Sequence, residues 1–172
     1  MIVRSFAPVA RADAKVLILG SMPGKISLAR RQYYAHPHNL FWRIMGELFG
    51  AGPELPYDAR LLTLQENGVA LWDVLKECYR ESALDADIVE ASIIANDFAG
   101  FFARHRQISR VYFNGAKAEQ AFRRYALPGL SLGSVNLQGV ELARLPSTSP
   151  ANAAITADKK LAAWRSIRPV SS

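Results

Sequence analysis

The chain has 172 residues, half of them apolar, which suits one well-packed core and is short for two, so residues 1–172 are expected to form a single domain. One cysteine, Cys78, excludes a disulfide framework, a structural zinc site or a four-cysteine iron–sulfur cluster built from this chain alone, and makes a reducing, cytoplasmic setting the default expectation. A formal net charge of +6 favours a polyanionic partner, although the same excess also serves plain solubility.

Val16-Leu17-Ile18-Leu19 is a continuous apolar run ending at Gly20, the pattern of a strand buried on both faces of a parallel sheet. Gly20, Pro23 and Gly24 of the following GSMPG segment predict a tight turn that lets backbone approach a ligand. After Asn39, the residues Leu40, Phe41, Ile44, Met45, Leu48 and Phe49 recur at helical spacing, and Gly50 stops the pattern. Residues 50–57 read as a surface loop. Asp58 opens a second helix carrying Leu61, Leu62 and Leu64, which Asn67-Gly68 closes. The strand theme returns in Val69 to Trp72, whereas residues 82–94 are ambiguous between loop and helix.

Asp97 opens a third helix through Phe98, Phe101 and Phe102 to His105. Ile108 to Phe113, followed by Gly115, and Val140 to Leu145 read as two more strands, with a helix from Ala116 to Tyr125 between them. The last helix runs from Thr156 to Ile167 with Leu161 and Trp164 on one face, and residues 168–172 form an expected frayed tail. Strands alternating with helices predict an α/β domain, with helices on both faces of a mostly parallel sheet of about four strands, a three-layer α/β/α sandwich. No apolar run approaches the roughly 20 residues that cross a bilayer, and the opening MIVRSF lacks a long apolar signal region, so a soluble protein with no membrane partner is expected.

In such a sheet, ligands bind outside the carboxyl ends of the strands, where GSMPG and LPSTSPAN both fall. Ser147, Thr148 and Ser149 offer hydroxyls between the stiffening Pro146 and Pro150, a composition suited to phosphate or sugar. Lys25, Arg30 and Arg31 lie beside the first segments and are placed to track phosphates, while Arg123, Arg124, Lys159 and Lys160 read as solvated helix faces. The spacing of His36, His38 and His105 offers no metal site.

Five segments, in order, carry a resemblance: G-x-x-P-G at Gly20 to Gly24, aromatic-A-H-P-x-N-x-F-W at Tyr34 to Trp42, Gly68-Val69 leading to Asp73, strand-G-x-x-A at Val111 to Ala118, and the Pro-Ser loop at Pro146 to Ser149. Together they resemble the uracil-DNA glycosylase superfamily, most of all its hypoxanthine-DNA glycosylase branch and next its mismatch-specific uracil branch. The resemblance spans Val16 to about Trp164. It implies a monofunctional enzyme, expected to be monomeric, that flips a damaged base out of DNA and hydrolyses its bond to C1′ with water, without metal or organic cofactor.

The resemblance also implies roles. Asn39 is the expected catalytic residue, Tyr34 stacks on the base, and Asp73, Gly20 and Ser21 bind it. DNA contacts fall to Gly24, Lys25, His36, His38, Ser147, Thr148, Ser149, Ala151 and Asn152.

Three departures matter. Met22 stands where many relatives carry a water-positioning Asp or Asn. Asp73 replaces a base-reading Asn and, when ionised, only accepts hydrogen bonds, leaving the neighbouring base carbonyl to another donor. Leu145 replaces a His or Asn before Pro-Ser and cannot stabilise a departing base. Each site residue also has a plain structural reading: Asn39 as a helix cap, Asp73 as the cap of a short helix from Val74, Tyr34 as core, the serines as a capped turn. Rival functions are a mismatch-preferring uracil glycosylase, a catalytically silent DNA-binding module, and a small-ligand protein using GSMPG as an anion nest, although that turn lacks P-loop spacing.

Overall fold

The computed structural model describes residues 1–82, 84–132 and 137–167; the expected tail at 168–172 lies outside the described residues. In chain order the elements are β1 (Ile2–Arg4), β2 (Val16–Gly20), α1 (Lys25–Arg30), α2 (Phe41–Phe49), α3 (Tyr57–Glu66), β3 (Val69–Asp73), β4 (Leu75–Arg80), β5 (Ile88–Ala95), α4 (Phe98–Arg104), β6 (Arg110–Asn114), α5 (Ala116–Ala121), α6 (Leu127–Leu132), β7 (Glu141–Leu145) and α7 (Ala157–Trp164).

The four apolar runs form one parallel sheet of order β3-β2-β6-β7. Every residue of β2 and β3 is buried, as continuous apolar runs require when both sheet faces are covered. Successive side chains point to opposite faces. Leu17, Leu19, Ala70, Trp72, Val111 and Phe113 therefore pack with Phe98, Phe101 and Phe122, while Val16, Ile18, Val69, Leu71 and Tyr112 pack with Phe41, Trp42, Leu64 and Trp164. Helices α4 to α6 cover the first face and α2, α3 and α7 the second, the expected three layers. Asp97 accepts from Gly100 N and Thr156 from Lys159 N, each opening its helix as a side-chain cap.

A second sheet, antiparallel and of order β1-β4-β5, was not anticipated. The segment read as loop or helix at 82–94 is in its larger part strand: a short 3-10 turn at Asp85–Asp87 leads into β5 from Ile88 onward. Val89 and Ile94 on β5 are exposed, so the in-out alternation that marks a half-buried strand is absent there. Nor does Asp73 cap a helix, because Val74 joins it to strand β4.

Three smaller corrections concern loops and helix ends. Ala51 and Gly52 are buried, so residues 50–57 are not a plain surface loop. The short helix α1 follows GSMPG directly. The helix from Ala116 continues past Tyr125 through a π turn at Phe122–Ala126 into α6.

Candidate active site

Gly20, Asp73 and Asn114 are the last residues of the adjacent strands β2, β3 and β6, and the loop after β7 begins one residue beyond Leu145. Parallel register therefore delivers all of them to one edge, where they line a cavity of about 930 Å³. The same cavity is lined by Ser21, Met22, Gly24, Lys25, Tyr34, His36, Asn39, Ser147, Thr148, Ser149, Ala151 and Asn152. Of the residues expected at the site, His38 alone stays outside: it is exposed, and its backbone N–H donates to His36 Nδ1 at 3.0 Å.

Gly20 has a steric reason to be glycine. A Cβ there would come within 2.5 Å of Asp73 Oδ1 and 3.0 Å of the Tyr34 hydroxyl. Gly24 has none, since a Cβ would meet nothing within 4 Å. Gly115, just beyond β6, combines φ +97° with a Cβ position 2.9 Å from Ser147 Cβ, so the strand end and the Pro-Ser loop are pressed together there.

Asp73 is 4% exposed. Burial, reinforced by the charge of Asp85 and opposed by Arg80, pushes its carboxyl up to about 7. Near neutrality Asp73 is thus not acceptor-only, as an ionised carboxylate would be, but shared between ionised and neutral forms. Its Oδ2 and the Tyr34 hydroxyl are both closed to solvent and lack hydrogen-bond partners. Burial, with the charge of Asp73 added, holds the Tyr34 hydroxyl far above its ordinary value; Asn114 lies close enough to ease that shift without forming a well-aligned hydrogen bond. The Tyr34 ring stacks on Phe41 at 4.0 Å, and the residue has φ +55°, an uncommon conformation for an aromatic side chain.

Asn39 Oδ1 accepts from Phe41 N at 2.9 Å. The oxygen, not the nitrogen, is therefore held by backbone, which keeps the capping role real. Its amide N–H groups and one oxygen lone pair remain for a ligand or water. Met22 is buried against the core and brings no polar group.

The Pro-Ser loop is braced throughout. Asn114 donates from Nδ2 to Thr148 Oγ1 at 3.0 Å and accepts from Thr148 N at 2.9 Å. Thr148 is buried, so its hydroxyl serves this brace rather than an open phosphate contact. Ser147 Oγ and Ser149 Oγ accept from the backbone of Ser149 and Ala151, both at 3.2 Å, and Asn152 Nδ2 donates to Ser147 O at 3.2 Å. Lys160 corrects the expectation of a solvated helix face: it is buried and its Nζ donates to Ser149 O at 3.3 Å. Lys25, Arg30 and Arg31, by contrast, are exposed on and just after α1 and form none of the ion pairs found among the described residues.

The second sheet supplies parts that the motifs do not announce. Arg80 on β4 is 2% exposed and donates to Pro23 O at 2.8 Å, supporting the GSMPG turn from below. Asp85, at the tip between β4 and β5, accepts from Ser21 Oγ at 2.7 Å; burial pushes its carboxyl above the usual range and the Ser21 bond opposes that. Leu84 and Ala86 join it in the cavity wall. Asn114 carries a signal in hindsight, a polar residue closing an apolar strand before glycine, as Asp73 and Gly20 close theirs. Arg80 and Asp85 carry none, because their place depends on the second sheet. No group of three or more His, Cys, Asp or Glu side chains suited to a metal ion occurs among the described residues. None of the described helices is long and apolar enough to cross a membrane.

A pocket at the carboxyl edge of a four-stranded parallel sheet, lined by residues of the five segments that carry the sequence resemblance, is the site expected of a base-excising DNA glycosylase. Residues 7–168 match the Uracil DNA glycosylase superfamily, and the chain belongs to that family. It is 37% identical over 153 residues to a hypoxanthine DNA glycosylase of Methanosarcina acetivorans, covering 88% of this chain and 89% of that protein. A hypoxanthine DNA glycosylase of Methanosarcina barkeri is 38% identical over 116 residues, covering 67% of this chain and 72% of the relative. The solution NMR structure of a Methanosarcina acetivorans protein, described as a candidate uracil DNA glycosylase, superposes with a TM-score of 0.77 at 34% identity, covering 97% of this chain and 96% of that one.

Proposed function

We propose that this DNA glycosylase removes hypoxanthine from deoxyinosine, by attack of water on C1′ of a nucleotide flipped into the cavity. The observation that carries the reading is the convergence of Asp73 and Tyr34 on the bare Cα of Gly20, in a cavity also lined by Asn39 and Asn114. A volume of about 930 Å³ accommodates a purine with its sugar. The names of the two curated relatives support the choice of base.

Asn39 orients the water through its unheld amide groups while its capping bond keeps the side chain in place. Tyr34 and Asp73 bind the base together with Gly20 and Ser21. Ser147, Ser149, Ala151 and Asn152 hold the strand on their braced loop, with Thr148 as its internal strut. Gly24, Lys25 and His36 meet the phosphates on the opposite lip, joined by Arg30 and Arg31, and the protein acts as a monomer on damaged DNA. Phosphate contacts of this kind set affinity and register and leave lesion choice to the pocket.

Uracil presents a ring N–H beside a carbonyl as hypoxanthine does, so it is the competing substrate. The deciding experiment uses labelled duplexes containing inosine, uracil, xanthine or ethenocytosine, treated with enzyme and then alkali. Preferential cleavage at inosine is expected. Preference for uracil would move the chain to the mismatch-specific reading, and cleavage at no base would leave a silent DNA-binding module.

A further inference from the structure

We propose that Tyr34 meets the flipped base with its hydroxyl rather than with a stacking face: the O–H donates to the carbonyl oxygen of the base while Asp73 accepts from the adjacent ring N–H. The proposal rests on the glycosylase reading above and supplies the donor that Asp73 lacks when ionised.

Four observations point to it. The hydroxyl and the carboxyl flank one notch, each within about 3 Å of where a Gly20 side chain would begin. Neither the hydroxyl nor Asp73 Oδ2 has a partner, although both are shut off from water, and buried polar groups without partners are rare enough to demand a function. One face of the Tyr34 ring is already occupied by Phe41 at 4.0 Å. The left-handed backbone at Tyr34 is held from both sides, by the Trp42 Nε1 bond to Tyr33 O at 2.8 Å and the Ala35 N bond to Ser27 Oγ at 3.0 Å, so the hydroxyl is aimed by the chain rather than by chance rotation.

The chemistry fits the pair. Hypoxanthine carries N1–H beside the C6 carbonyl, one donor next to one acceptor. When C1′–N9 breaks, its electron pair goes to the base, the water oxygen bonds to C1′, and the proton that water loses passes to solvent, which also protonates the released base. The negative charge on the departing base spreads onto the C6 oxygen, so a hydrogen bond from Tyr34 strengthens as the bond breaks. Leu145, buried in the core, cannot give that help. Burial keeps the phenol protonated throughout the working pH range, which makes it a constant donor.

The test is single-turnover excision by wild type and Tyr34→Phe on two duplexes, one with deoxyinosine and one with 2′-deoxyribosylpurine, which lacks the C6 carbonyl. Tyr34→Phe keeps the ring and its stack on Phe41. The expected result is a loss of about 10²-fold on deoxyinosine, the scale of one donor to a developing anion. On the carbonyl-free base the two proteins should differ little, and thermal melting of the variant should be unchanged or raised, since an unpaired buried hydroxyl is gone. Equal rates on deoxyinosine, or equal losses on both bases, would overturn the proposal. Wild type that releases no hypoxanthine would overturn the choice of base and the proposal with it, an outcome distinct from an active wild type that Tyr34→Phe matches.

Discussion

Gly20 and Asp73 face each other in register at the ends of adjacent parallel strands, and the side chain of Asp73 occupies the space that any larger residue at position 20 would need. Gly20→Ala should therefore displace the Asp73 carboxyl rather than unfold the sheet. A misplacement of about 1 Å at a reacting group costs about 10²-fold in rate, whereas overpacking of this size costs about 1–3 kcal/mol of stability. Single-turnover excision and a melting curve on the same preparation separate the two effects. An alanine variant that keeps the wild-type rate would show that the position of Asp73 does not matter.

Asn39→Ala is expected to lose about 10²–10⁴-fold in excision rate, the range for a positioned polar group acting on the attacking water. Its stability should fall by only about 1 kcal/mol through loss of the bond to Phe41 N. Asn39→Asp retains that acceptor and removes the amide donors. If Asn39→Ser, which can still cap, restores the full rate, capping alone explains the residue; full rate in Asn39→Asp alone would assign the work on water to the oxygen and not to the amide donors.

Asp73 makes stability depend on pH in a defined direction. Its folded value, about 7, lies above the ordinary 3.8, so the folded state holds a proton that the unfolded state has released between those limits. This contribution is complete below about pH 4 and is lost as pH rises to about 7. Asp73→Asn, uncharged throughout, should gain on wild type across that window by on the order of a few kcal/mol and stay parallel to it outside. The Asp85 carboxyl is shifted the same way, so Asp85→Asn serves as the reference for its share. A constant offset from pH 4 to pH 8 would mean that Asp73 ionises as it would in water.

Binding to duplex DNA should weaken with salt if the exposed cations Lys25, Arg30 and Arg31, on and just after α1, displace condensed counterions as proposed. Reversing Arg30 and Arg31 to Glu should lower the slope of log affinity against log salt by roughly 0.9 for each phosphate left without its cation, with excision from saturated complexes little changed. Fluorescence anisotropy across a salt series gives the slope. An unchanged slope would place the DNA track elsewhere.

The four parallel strands were legible because continuous apolar runs ending in glycine or a polar residue leave few alternatives, and that pattern also located Gly20, Asp73 and the Pro-Ser loop. The second sheet was not legible: β5 exposes Val89 and Ile94 along with its polar residues, and β4 buries an arginine, so neither strand shows the expected in-out pattern. Arg80 and Asp85 were hidden for the same reason. Lys160 was misread because a lysine on a polar helix face is indistinguishable in sequence from one whose ammonium turns inward to a carbonyl. Asn39 lines the cavity as its segment implies, yet which of its two amide atoms the backbone holds is a matter of loop geometry that no spacing encodes.

The polar residues of the pocket floor sit at the terminal positions of β2, β3 and β6, one step beyond the residues that fill the core. Replacing one of them acts first on what the cavity presents, because the apolar side chains that fill the core belong to the preceding residues of each strand. A change of damaged base can therefore begin at a strand's last residue, where the first structure disturbed is the pocket and not the apolar layers beneath it.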